Sequence, residues 1–335
     1  MLQYYQQSQI GGDHNMKFLL FSDLHYHPGV LYGPDEATLE ALQKRAEDAG
    51  CDFIIHAGDF CYGPSKVANF VEKYNSFHIP SYHCLGNHDC DRTAYADVLK
   101  LSNLQNGYYY FDCKGYRMIV LDTNYYLDKG KFVHYEFRSQ FDHPQQLDSL
   151  PPEELDWLYR TVEESPYPCM IISHASFERE CVLAKDEAEM IQLSHEANAS
   201  IYAQQIRDFV QETNKKTPHK VLMLMNGHHH KDFLRLIDNV LYWDVNTTCY
   251  EWICDKPHNK FPEALCQAYT LANHTMVFNE PLSAVVTVEG TTITIEGAET
   301  TAYLGVTRET DGDWVLDRSG RPSRPKIQSA KITLL

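Results

Sequence analysis

An α/β fold built on a largely parallel sheet is predicted by two observations. Short apolar runs of strand length alternate with amphipathic segments of 10–15 residues at helical period. Five of those runs also finish in Asp, Asn or His, so one kind of chemistry recurs in one structural context. In open α/β sheets, ligands bind outside the carboxyl ends of the strands. Residues far apart in the chain are therefore expected to converge on one crevice.

From Met16, "MKFLLFS" reads as a buried strand. "PDEATLEALQKRAEDAG" then puts Leu39, Leu42 and Ala46 on one helical face, with Asp35 as N-cap and Gly50 as stop. "DFIIHAG", "SKVANFVEKYNSF" and "PSYHCLG" continue as strand, helix and strand, the signature of βαβ units. "YYYFDCKGYRMIVLDT" is a hairpin turning at Lys114-Gly115. Residues 125–147 lack a clean period and read as a long loop. "PPEELDWLYRTVEES" is a helix with Leu155, Leu158 and Val162 in register, and "PCMIISH" is the next strand. Residues 185–213 are largely helical, "HKVLMLMNG" is strand, and 255–275 is irregular. "LSAVVTVEGTTITIEG" alternates as a hairpin around Glu289-Gly290. The expected organisation is a polar leader over 1–15, with Met16 an alternative start, then one domain over 16–305. Residues 306–335 form an extension packing loosely on it.

Composition narrows the function classes. A net charge of −17 argues against a broad basic face for nucleic acid. A small anionic substrate stays open, because a bound cation reverses the local field. The ten cysteines include no C-x-x-C pair, and several lie in apolar runs, which fits a reduced interior better than a disulfide framework. No run reaches the ~18 apolar residues of a membrane span, and the N-terminus has neither the charged start nor the apolar centre of a secretory signal. The expected location is cytoplasmic, without membrane contact.

The run endings carry the chemistry. "FLLFSDLH" ends in Asp23 and His25, "FIIHAGDF" in Asp59, and "YHCLGNHD" in Asn87, His88 and Asp89. "MIISH" ends in His174 and "LMLMNGHHH" in His228 and His230. Taken singly, each has a plain reading as a turn, a core histidine or a solvated pair. Together they supply carboxylates, an amide oxygen and imidazoles, a mixed N/O set that suits Mn, Fe, Zn or Co better than Ca or Mg. There are too many donors for one ion.

The series D-x-H, G-D, G-N-H-D, a strand-terminal H and G-H-x-H resembles the calcineurin-like metallophosphoesterases. It stands here as "DLH" 23–25, "GD" 58–59, "GNHD" 86–89, "SH" 173–174 and "GHHH" 227–230, within a resemblance running over about residues 16–300. Bacterial cyclic-nucleotide phosphodiesterase-like and purple-acid-phosphatase-like members are the most similar. The resemblance implies two packed mixed β-sheets flanked by helices, a four-layer αββα sandwich. It implies two divalent or trivalent transition-metal ions. Asp23, His25, Asp59 and His230 would hold one, and Asp59, Asn87, His174 and His228 the other, with Asp59 bridging. His229 would face away, by the alternation of a strand. His88 is the candidate general acid or phosphate donor, and Asp89 either orients it or fixes the loop. His56 and His83 are expected as core or supporting residues rather than ligands.

The implied reaction is hydrolysis of a phosphate ester by hydroxide held between the metals. A phosphodiester is favoured over a phosphomonoester, and the implied partner is a small phosphate-ester substrate. "GDFCY" also places Tyr62 three residues after Asp59, as in purple acid phosphatases; because His25 already fills that ligand position, Tyr62 is expected as a pocket wall. A purple-acid-phosphatase-like phosphomonoesterase and a non-catalytic interaction scaffold with the same fold are the two alternatives. Substrate contacts are expected from Tyr26, His27 and Tyr32, and from Tyr125, Tyr126, Lys129, Lys131, Phe132, His134, Tyr135 and Arg138, with an ordinary packing role as the alternative.

Overall fold

The computed structural model describes residues 15–63, 67–139, 150–177, 203–253, 256–312 and 324–335. The expected leader, most of the 185–213 helix and part of the 125–147 loop lie outside these residues.

Two six-stranded mixed sheets pack face to face. The first contains β1 (Met16–Phe21), β2 (Phe53–Ala57) and β3 (Ser81–Cys84), all parallel. The second contains β4 (Tyr109–Cys113), β5 (Tyr116–Val120), β8 (Cys169–Ser173), β9 (Val221–Asn226), β10 (Phe233–Ile237) and β11 (Val240–Asp244). Its four central strands are parallel, in the order β11-β9-β8-β5, and antiparallel β10 and β4 close its edges. Between β5 and β8 run β6 (Tyr125–Asp128) and β7 (Lys131–His134), paired only with each other. A second small pair is β12 (Tyr250–Trp252) with β13 (Thr275–Val277). Finally β14 (Ala284–Glu289), β15 (Thr292–Gly297) and β16 (Ala330–Thr333) extend the first sheet beyond β1 as antiparallel strands.

Strand alternation explains the layering. Phe18, Leu20, Phe53 and Ile55 face Met118, Val120, Met170 and Ile172 across the inter-sheet core. The alternate residues Leu19, Phe21 and Ile54 pack outward on α1 (Glu36–Ala49) and α2 (Ala68–Asn75). On the far side Ile119, Ile171 and Leu224 meet α4 (Pro152–Glu163) and α5 (Ala203–Lys216); a short α3 (Tyr95–Leu101) packs beside α2. Each fully buried Leu, Ile or Phe contributes roughly 2 kcal/mol. The β8–β9 register shifts between Cys169 and Met170, which lets consecutive Leu222 and Met223 both face the inter-sheet core.

The helix punctuation behaves as its chemistry requires. Asp35 accepts from the Thr38 amide in a capping box, and Gly50 closes α1 in the left-handed conformation. Lys114-Gly115 turns the β4–β5 hairpin with positive φ at both residues.

Three expectations need correction. Residues 125–134 are a hairpin turning at Lys129-Gly130, both at positive φ, and not loop. Its strands are short and lack apolar alternation, so no period marked them. Within 255–275 lie a short helix, α6 (Glu263–Ala268), and a 3-10 turn at 272–274. The chain end is not loosely packed: β16 pairs with β15, and the Asn246 side-chain amide donates to the carbonyls of Arg324 and Lys326. The eight cysteines among the described residues are free thiols. No helix among those residues is long and apolar enough to cross a membrane.

Candidate metal centre

The carboxyl ends of β1, β2 and β3 meet those of β8 and β9 at one edge of the sandwich. There the chain must leave each strand sharply while turning a polar side chain into the crevice. Asp23, His25, Asp59, His228 and His230 all do so at positive φ, between 49° and 69°. Asp and His tolerate this region better than most residues, yet five such positions together mark a strained, functional site. Neighbouring backbones lock the turns: the Asp23 amide donates to Gly58 O at 3.1 Å and that of His25 to Asp59 O at 2.8 Å. Thr247 and Thr248 hydroxyls hold the carbonyls of Asp23 and Ser22, each at 2.7 Å.

The glycines that precede three of the candidate ligands have a steric reason. A Cβ on Gly58 would strike the His174 ring, one on Gly86 the Asp59 carboxylate, and one on Gly227 the side chains of Ser22 and Asp23.

All seven side chains read as ligands meet here, in two groups. In the first, Nε2 of His230 lies 3.4 Å from Asp23 Oδ1 and 3.0 Å from Nε2 of His25, itself 3.7 Å from Asp59 Oδ2. In the second, Nε2 of His174 lies 3.1 Å from Asp59 Oδ2, 3.0 Å from Asn87 Oδ1 and 2.9 Å from Nδ1 of His228. Asp23, His25 and His230 offer ligand atoms within 4.8 Å of one another, and so do Asp59, His174 and His228. Asp59 touches both groups. Ring nitrogens about 3 Å apart have the spacing of neighbouring ligands around an ion with metal–nitrogen bonds near 2.1 Å.

Electrostatics suit cation binding. Burial opposes charge throughout, but His174 and then His88 hold the Asp59 carboxylate well below its usual range, and His230 does the same for Asp23. Burial drives His25 down to about 3 and His228 well below the usual imidazole range, so both rings are neutral donors. The Nδ1 of His174 lies 2.9 Å from Ala57 O, the contact that turns its Nε2 inward. These residues fit a pair of metal ions.

Around the two groups, His88 donates its backbone amide to Asp59 Oδ1 at 2.7 Å, and its ring Nδ1 lies 2.8 Å from Asp91 Oδ2. Asp89 instead caps the loop, accepting from the amides of Cys61 at 3.0 Å and Gly86 at 2.8 Å. The carboxylate beside His88 is thus Asp91, which the sequence reading missed although its i+3 spacing was visible. Tyr62 is buried, its ring 4.6 Å from that of His88 and 5.3 Å from that of His25, and burial pushes its phenol well above the usual range.

His229 faces out of the crevice, its Nδ1 3.1 Å from Asp244 Oδ1. The expected outward direction holds, but the cause differs. β9 ends at Asn226, and positive φ at His228 and His230, rather than a strand pleat, points the flanking rings inward. His56 and His83 form a buried chain behind the site: His56 Nδ1 accepts from the Gly58 amide at 3.2 Å, and its Nε2 lies 2.8 Å from His83 Nδ1.

Four of the expected substrate contacts pack on other residues. Tyr26 stacks on Phe70, Tyr126 meets Tyr135, and His134 bonds Asp122. His27 and Arg138 do approach the site: the His27 ring stacks 4.6 Å from Tyr62, and Arg138 Nη1 lies 4.0 Å from Asp91 Oδ2.

Comparison with known proteins agrees with this geometry. The calcineurin-like phosphoesterase family profile matches residues 16–232. Among solved structures, a dimetal phosphatase from Danio rerio superposes with a TM-score of 0.59 at 12% identity, covering 96% of this chain and 99% of its own. GAP50, the anchor in the inner membrane complex of Plasmodium, gives a TM-score of 0.48 at 10% identity, covering 96% of this chain and 89% of its own. At 12% identity the first of these establishes a shared fold alone. Comparison with curated protein sequences returns no match.

Proposed function

The chain belongs to the calcineurin-like phosphoesterases, and from that premise we propose that it is a dinuclear metal-dependent hydrolase of phosphate esters. The carrying observation is the convergence of Asp23, His25 and His230 with Asp59, His174 and His228 in one buried crevice. Asn87 completes the second group beside His174. When bound, two such ions would supply an activated water and positive charge for the phosphoryl group.

The chain's own residues do the rest. Asp59 joins the two groups, and the neutral rings of His25 and His228 present lone pairs. His88 stands at the rim with Nδ1 against Asp91, so its Nε2 faces outward to donate a proton to a leaving alkoxide or a hydrogen bond to a phosphate oxygen. Burial pulls its pKa down, but Asp59 first and Asp91 next raise it above the usual imidazole value. Asp89 holds the loop that carries Asn87 and His88. Tyr62, a neutral phenol, walls the crevice.

The substrate class we carry forward is a phosphodiester, on the motif order and spacing; a phosphomonoester is the rival. Elemental analysis of the purified protein, with hydrolysis of bis-p-nitrophenyl phosphate and p-nitrophenyl phosphate on the same sample in Mn²⁺, tests the proposal. About two metals per chain and chelator-sensitive cleavage are expected, with the diester cleaved faster. Tight metal binding without turnover of either ester would point to a non-catalytic scaffold. A purple colour lost in Tyr62→Phe would point to an oxidised-iron phosphatase.

A further inference from the structure

Each imidazole that serves a metal through one nitrogen needs an acceptor for the proton on the other, because that contact sets its tautomer and direction. Ala57 O meets this need for His174, at 2.9 Å. His230 turns Nε2 toward Asp23 and His25, which leaves Nδ1 pointing away from the crevice. What faces it there is a carboxylate, Glu251 Oε2 on β12, at 4.0 Å, an ion-pair separation longer than a hydrogen bond.

Glu251 is buried, and its other oxygen takes a hydrogen bond from Arg308 Nη2 at 3.0 Å. Arg308 is buried too and also donates to the Trp252 carbonyl. It opens a short helix, α7 (Arg308–Asp311), whose N-cap Thr307 accepts from the Thr310 amide. Both acidic and basic partners lie beyond residue 232, where the family profile ends.

We propose that the buried Arg308–Glu251 ion pair is a positioning device for the metal centre, presenting a carboxylate oxygen to Nδ1 of His230 and so fixing the ring with Nε2 toward Asp23 and His25. The inference rests on the dinuclear reading above. Burying an ion pair costs several kcal/mol of desolvation, so a pair that only tied α7 to β12 would be a poor stabiliser. Aimed at a ligand ring, it removes a rotational and tautomeric freedom that would otherwise weaken one metal site.

The test is Mn²⁺ titration of chelator-treated full-length protein by calorimetry, alongside thermal melts of the same metal-free samples. Glu251→Gln removes the charge from the pair, and the double change Glu251→Leu with Arg308→Met removes both charges without stranding either. In both, one site is expected to weaken by roughly 10–100-fold while the other keeps its affinity. Wild-type affinity at both sites overturns the inference, even if the metal-free melting temperature falls, because that is what a purely structural pair predicts. Should neither variant fold, long-range ¹H–¹⁵N spectra of the wild-type protein loaded with Zn²⁺ decide. A His230 Nδ1 proton shifted downfield by a hydrogen bond to a carboxylate supports the inference, and an Nδ1 proton without that shift overturns it. A wild-type protein that binds no metal overturns the dinuclear reading and this inference with it; normal wild-type binding with unchanged variants overturns this inference alone.

Discussion

His229 and Asp244 are joined across the loop that carries two candidate ligands: Nδ1 of His229 lies 3.1 Å from Oδ1 of Asp244. Asp244 closes β11, beside β9, and also accepts from the Asn226 side chain at the end of β9. The middle ring of "HHH" therefore moors the turn to the sheet, while its neighbours face the crevice. Three histidines in a row serve two inward roles and one outward anchor.

His229→Ala is expected to lower stability by about 1–2 kcal/mol, because Asp244 loses a partner in a buried setting. Metal content should stay at two per chain. Denaturant melts with elemental analysis check this. Loss of metal at unchanged stability would make His229 a ligand.

Asp59→Asn should affect both metal groups at once, since Asp59 Oδ2 lies 3.7 Å from His25 and 3.1 Å from His174. The expected loss of activity exceeds the ~100-fold that follows removal of an outer partner. Retention of two metals with near-normal turnover would remove the bridging role.

His88→Ala and Asp91→Asn separate chemistry from binding. Both should slow turnover with metal content unchanged, His88→Ala by about 10²–10⁴-fold as for loss of a general acid. Asp91→Asn should cost less and move the basic limb of the pH–rate profile to lower pH, because Asp91 raises the pKa of His88 and the ring itself remains. Asp89→Asn, by contrast, should show up chiefly as lost thermal stability.

Glu154 gives a pH prediction away from the crevice. It is fully buried, accepts from the Asp122 amide at 2.8 Å, and burial first, then the Asp122 charge, raises its pKa well above 4.5. The native state thus holds the proton more tightly than the unfolded chain. Its contribution is full below pH 4.5 and is lost as pH rises through the folded value. Glu154→Gln keeps the acceptor without the charge. It should melt above wild type at pH 8, with the gap closing toward pH 4; a gap independent of pH would rule this out.

The sequence by itself determined the alternation of strand and helix over β1, α1, β2, α2 and β3 and the identity of the converging donors. Asp23, Asp59, Asn87, His174 and His228 each stand one to three residues beyond the end of a strand, so local context was enough to nominate them. Asp35 and Gly50 likewise carried their cap chemistry in their own residue types. Read from the residues alone, the alternation fitted one parallel sheet; the two-sheet sandwich entered only with the family resemblance. Tertiary structure decided that pairing, together with the β6–β7 hairpin and the partners Asp91, Glu251 and Arg308. Arg308 and Glu251 are separated by 57 positions and Asp244 and His229 by 15. No periodicity links such residues. Their contacts exist only once two sheets have buried their faces against each other, because burial then makes every stranded charge or ring nitrogen costly enough to require a partner.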